Sequence, residues 1–327
     1  MKTKITSLFL SILLVVLTLS SCEDSKKSIA KPISNSNLDE NIEQKVDSVL
    51  NLMNLEEKIG QMVQYAAGGD LTGPKSSQGN KTKAAKIKKG LVGSLLNVVS
   101  VKEVREAQEL AMQSRLKIPL IFGYDVIHGF KTMFPIPLGE SASWDLDIMK
   151  QSASIAAKEA AASGLNWTFA PMVDVSRDAR WGRIMEGGGE DPYLNSVIGV
   201  ARINGFQGDD LSNKYTIAAC AKHFAGYGFG EAGREYNTVT VGEFEMHNTI
   251  LPPFKAAAKA GVATFMNAFN DLDGIPATGH KTLQRDILKG DWNWSGLVHR
   301  SSAIANLHLL PSTCSILNCI PKAIRSH

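Results

Sequence analysis

From residue 93 to residue 298 the chain alternates short apolar runs with longer amphipathic ones. Apolar runs at 93–99, 118–125, 167–174, 216–224 and 262–267, and one reaching Val298 after Trp292-Asn293-Trp294, are short enough for strands. They are nearly continuous in apolar residues, as strands buried on both faces must be. Between them, 101–114, 147–163, 195–205, 243–260 and 283–288 carry helical periodicity, and 41–57 begins the body with a stripe of Ile42, Val46, Val49, Leu50 and Met53. Pro252-Pro253 within 243–260 predicts a bend or break there. Strands separated by helices of this length form a parallel sheet, since only a long crossover returns the chain in the same direction. Polar residues recur at the C-terminal ends of the runs: Asp125, Asp174, Lys222-His223 and Asn267. That placement predicts an α/β fold, a (β/α)8 TIM-like barrel whose site lies at that end. A doubly wound open sheet is the alternative, but no Gly-rich phosphate loop follows a strand.

The first 40 residues differ in kind. Lys2 and Lys4 precede an apolar run at 8–19, which is short for a membrane span and suits a signal peptide over 1–21. Leu19-Ser20-Ser21-Cys22 is similar to a bacterial lipobox, so Cys22 is expected to carry lipid, with 22–40 as a tether. The expected location is therefore exported, periplasmic or at the outer membrane, touching the membrane only through the anchor. A net charge of +3, with no basic block interleaved with aromatics, gives no support for nucleic-acid binding. Cys220 lies in an apolar run and reads as a small buried hydrophobe, and neither the cysteines nor the histidines show zinc-ligand spacing.

Chemistry concentrates in five stretches: 123–129, 177–183, 186–192, 222–228 and 266–271. Carboxylate, guanidinium, ammonium, imidazole and amide at one end of a sheet suit a polyhydroxylated ligand, because sugar hydroxyls both donate and accept. A phosphate fits poorly beside Asp125. Each residue also has a structural reading: Asp125 as a helix cap, Arg183 bridged to Glu186 or Glu190, and Lys222-His223 as a solvated strand end. Asp174 reads as tying down its own loop, Trp181 as packing, and Arg177, Asp178 and Arg180 as a bracing cluster.

Tyr124-Asp125-Val126-Ile127-His128-Gly129, the 178–183 stretch, Gly189-Glu190-Asp191-Pro192 and Lys222-His223-Phe224 together resemble the N-terminal barrel domain of glycoside hydrolase family three. The branch resembled is that of exported bacterial β-glucosidases, over 41–298. The N-acetylglucosaminidase branch carries a His where Tyr227 stands. The resemblance implies a substrate-binding subsite of Asp125, Arg183, Lys222 and His223 with Met266 nearby, a β-glucoside or oligosaccharide substrate, a retaining mechanism, and no cofactor or metal. It also implies a nucleophilic Asp within a few residues of Val298, where His299-Arg300-Ser301-Ser302 stand instead; no Asp or Glu follows Asp291. The family's acid/base lies in a second domain beyond the barrel. The expectation is thus a barrel incomplete at its C-terminal end, an aberrant out-of-frame tail over 299–327, and a fragment lacking both catalytic carboxylates. The alternative is a non-catalytic sugar-binding lipoprotein.

Overall fold

The computed structural model describes residues 40–66 and 80–299. The expected signal peptide, Cys22, the tether, most of the 70–83 loop and the tail beyond His299 lie outside the described residues. Parallel strands β1 (Gln64–Ala66), β2 (Ser94–Leu96), β3 (Ile121–Tyr124) and β4 (Trp167–Thr168) form one ladder, and β5 (Cys220–Phe224), β6 (Thr264–Asn267) and β9 (Leu297–His299) another. Parallel bridges Trp167–Ala218 and Met172–Lys222 join the two. The spatial order therefore follows the chain with no reversal, which is barrel winding and excludes a doubly wound sheet. The curvature shows in contacts across the interior: the His299 ring lies 4.8 Å from that of Trp167 and 5.3 Å from that of Phe169, and its Nε2 meets Gln64 Oε1 at 3.2 Å. Among the described residues the barrel has seven parallel strands, and that side-chain contact, not a ladder, spans from β9 to β1.

The helices pack outside. They are α1 (Glu40–Leu52), α2 (Leu55–Gln61), α3 (Asn80–Lys88), α4 (Val101–Ala111), α5 (Pro137–Ser141), α6 (Leu146–Ala162), α7 (Pro192–Gln207), α8 over 243–259, and the widely wound α9 (Thr282–Asp291). The stripe over 41–57 proves to be two helices. Asn54 accepts from the Glu57 amide while Glu57 accepts from that of Asn54, a capping box that restarts the chain in a new direction. The bend in α8 takes the form of a π-helical turn, Met246–Ile250, just before the prolines, which have no N–H to continue the ladder. Asp191 caps α7 through the Leu194 amide, with Pro192 at its first position.

One expectation is corrected and one element is new. The run 167–174 is not one regular strand: β4 ends at Thr168, the Ala170–Pro171 peptide is cis, and pairing resumes only at Met172. Asp273-Gly274, both at positive φ, turn an antiparallel hairpin of β7 (Asp271–Leu272) and β8 (Ile275–Pro276) that apolar periodicity did not reveal. Apolar burial falls in three layers. A large cluster fills the space between strands and helices; Ile121, Trp167, Phe169, Ala218, Cys220 and Met266 fill the interior; and Met172, Trp181, Tyr227, Ala268 and Ala277 form the third cluster.

Candidate functional site

Asp125 follows β3 directly, its position fixed by the next amide, Val126 N–H, which donates to Thr168 Oγ1 of β4. Lys222 and His223 end β5, where the register against β6 shifts between Lys222 and Phe224. The shift breaks strict alternation, and the intervening Lys222–His223 peptide is cis. Both residues are buried, at 2% and 1% exposure, so the solvated strand-end reading falls. Lys222 Nζ lies 3.1 Å from Asp125 Oδ1 and 3.6 Å from Glu186 Oε2. Glu186 also takes a two-pronged bond from Arg183, at 2.6 and 2.8 Å, across the short turn Ile184–Glu186. The result is a continuous row of alternating charge, Asp125–Lys222–Glu186–Arg183. The Arg183–Glu186 bridge weighed from sequence exists, and it belongs to this row. Asp125 is not a helix cap; its partner is Lys222.

Electrostatics keep Glu186 and Arg183 ionised within the row. Burial alone would raise the Glu186 carboxyl, but the Arg183 bond and the Lys222 charge outweigh it and hold Glu186 below its usual range. Arg183 rises in turn, its burial cost exceeded by Glu186. Its guanidinium lies 5.6 Å from the Tyr227 ring centre, and that ring sits edge-on to Trp181 and His223 at 5.3 and 5.0 Å. The Tyr227 hydroxyl donates to Glu235 Oε2, and burial with that bond pushes its pKa up.

Asp174 holds His223 rather than merely its own loop. Its Oδ2 accepts the His223 backbone N–H at 2.8 Å and faces Nδ1 at 2.9 Å. Burial raises Asp174 to about 7, and burial with the Arg183 and Lys222 charges holds His223 well below its ordinary value. The imidazole is therefore neutral at pH 7. Against an ionised Asp174, Nδ1 carries the hydrogen that donates to Oδ2 and Nε2 is left as an acceptor. Met266 pairs in register with Lys222 on the neighbouring strand and lies in the interior cluster with Trp167 and Phe169. His128 Nδ1 donates to the Phe134 carbonyl, 2.9 Å away. Arg180 and Asp178 brace each other as expected. Among the described residues, no group of three His, Cys, Asp or Glu could hold a metal ion.

Carboxylate acceptors, an ammonium, a guanidinium and an imidazole thus converge beside aromatic rings, the kind of donors and acceptors that hydroxyl-rich ligands use. The sequence profile described as the glycosyl hydrolase family 3 N terminal domain matches residues 54–308. The chain belongs to glycosyl hydrolase family 3. Among its family relatives, the periplasmic β-glucosidase of Salmonella typhimurium is 44% identical over 253 residues, covering 77% of this chain and 32% of that protein. The crystal structure of a β-glucosidase from Listeria innocua in complex with isofagomine superposes with a TM-score of 0.72 at 43% identity, covering 78% of this chain and 36% of that one. An exo-1,3/1,4-β-glucanase from a Pseudoalteromonas species gives a TM-score of 0.72 at 31% identity, with 80% and 35% covered. The chain thus spans about a third of the length of these family 3 relatives.

Within the family 3 barrel, Glu186, Asp174, Glu235 and Phe269 join the site without having been singled out as site residues. Glu186 had a visible signal, three residues after Arg183. Phe269, whose ring is 5.2 Å from Tyr227, lay inside the 266–271 stretch, while Glu235, on a separate loop, had no signal.

Proposed function

We propose that this chain supplies the sugar-gripping barrel of an exported, retaining β-glucosidase acting on terminal non-reducing glucosyl residues. Asp125 accepts two sugar hydroxyls, Lys222 and Arg183 donate, His223 accepts through Nε2, and Met266 underlies the floor. The observation that carries this reading is the Asp125–Lys222–Glu186–Arg183 row, buried at strand ends without being sealed: the Asp125 side chain is 35% exposed. Membership of family 3 and relatives described as β-glucosidases support it.

Retaining chemistry needs two carboxyl groups about 5–5.5 Å apart. β9 ends at His299, and no Asp or Glu follows Asp291 in the 327 residues. We infer that these 327 residues bind glucose without cleaving glucosides. Calorimetry with glucose, and nitrophenol release from an aryl β-glucoside, test both halves. Binding that weakens at least tenfold but stays measurable in Asp125→Ala, with no release, supports the proposal; release at the rate of an ordinary glucosidase refutes the inactivity. Absence of any binding refutes the pocket. Export and lipidation at Cys22 rest on the 1–22 pattern and on a relative described as periplasmic. Labelling with a clickable fatty acid that persists in Cys22→Ala would overturn the anchor.

A further inference from the structure

Helix α7 carries no residue of the sugar-facing row, yet one of its faces touches each arm of it. Asn195, Gly199 and Arg202 are spaced i, i+4 and i+7, so they share that face. Asn195, 1% exposed, accepts the Gly188 amide at 3.0 Å and donates to the Gly189 carbonyl at 2.9 Å, tying down the loop that follows Glu186. Gly199 lies against Val173, the neighbour of Asp174, so closely that a Cβ would stand 2.7 Å from Val173 Cγ1. Arg202, 3% exposed, donates to Glu140 Oε2 at 2.6 Å and to the Ile127 carbonyl, two residues beyond Asp125. Glu140 belongs to α5, which packs on the turn Ile184–Glu186. One buried ion pair thus joins the segment carrying Asp125 to the turn carrying Glu186.

A buried ion pair is a poor source of stability, because desolvating two charges costs about what their attraction returns. An apolar pair of the same size would fill this space as well. What an apolar pair cannot do is hold the Ile127 carbonyl, which a guanidinium reaches while bonded to Glu140.

We propose that Arg202 is a positioning residue for the sugar pocket: bonded to Glu140, it sets Asp125 through the Ile127 carbonyl. The inference rests on Asp125 being a sugar ligand, as argued above, and Arg202 itself touches no sugar. Its signature is coupling: replacing Arg202 matters for binding only while Asp125 is there to be positioned.

The test uses the full chain, with glucose as the probe in calorimetry and thermal unfolding alongside. Arg202→Met combined with Glu140→Leu leaves no buried charge without a partner. It is expected to unfold within a few degrees of the parent but to bind glucose at least tenfold more weakly. In an Asp125→Ala background the same replacement should change affinity less than twofold. Arg202→Lys, which keeps a cation for Glu140 but lacks the forked geometry to hold both partners, should show the same pattern and serves if the apolar pair does not fold. Unchanged affinity in these variants, or an equal loss with and without Asp125, overturns the positioning role. If Asp125→Ala alone leaves binding intact, it is the Asp125 reading that fails, and this inference falls with it.

Discussion

Replacing Lys222 by Met tests the charged row directly. Met conserves most of the volume and removes only the ammonium. At 3.1 Å from Asp125 and 3.6 Å from Glu186, that ammonium has two attractions, each of about 5 kcal/mol at an effective dielectric near 20. Against them stands the cost of burying the ammonium, several kcal/mol. The partners left behind are not equally stranded. Glu186 keeps the two-pronged Arg183 bond, and Asp125, 35% exposed, can hydrate. The net loss of stability at pH 7 is therefore about 2 kcal/mol, below the range for breaking a fully buried pair. Its pH dependence separates charge from packing. The folded pKa of Glu186 is depressed, so the stability it contributes is present above its unfolded value, near 4.3, and is lost as pH falls through the lower folded value. Lys222 is one cause of that depression, so parent and variant should differ most at pH 6–7 and converge below about pH 4. Urea unfolding across this range measures it. A difference that persists unchanged to pH 3, or a Met variant more stable than the parent at pH 7, would show that the ammonium is not held by these carboxylates. Glucose affinity should fall by at least tenfold, the worth of one charge-assisted hydrogen bond of about 1.5–3 kcal/mol.

Other outcomes follow from the same geometry. Asp174→Ala strands the backbone N–H and Nδ1–H of His223 in the interior and should cost roughly 2–4 kcal/mol in urea unfolding, while Asp174→Asn, which keeps an acceptor, should cost about 1 kcal/mol or less; equal costs would mean that the hydrogen bonds are irrelevant. His299 is held down to about 4 by burial, against an unfolded value near 6.5, so it lowers stability progressively as pH falls from about 6.5 to 4 and adds no penalty above. The ceiling is about 3 kcal/mol, reduced because the ring is only partly shielded from water, and His299→Phe should remove that part of the acid sensitivity in thermal unfolding at pH 4 and pH 7. A Cβ at Gly123 would stand 2.7 Å from the Phe169 ring, so Gly123→Ala should destabilise the barrel by about 1–3 kcal/mol through overpacking. A neutral result in chemical denaturation would show that Phe169 has room to yield.

Much of this architecture was legible because it is local. Apolar runs of strand length, helical stripes between them and polar residues at run ends give a parallel α/β barrel, since each signal spans only a few residues. Asp125, Lys222 and His223 stood out because they end such runs, and the family resemblance followed from contiguous motifs. Where local signals competed, the sequence misled. The stripe over 41–57 continues through Asn54, but a side chain able to cap ends the helix there. Asp174 looked like a loop anchor because its partner, His223, lies 49 residues away.

The sequence by itself determined the alternation of strands and helices, the family resemblance and the absence of Asp or Glu after Asp291, because composition, periodicity and motif are properties of neighbours along a chain. Only the tertiary structure decided that Glu186 bridges Arg183 to Lys222, that His223 is neutral and held by Asp174, and that Arg202 reaches the Asp125 segment. These are matters of distance and desolvation between groups far apart in sequence. They come into being only when the sheet closes and water leaves the space between them.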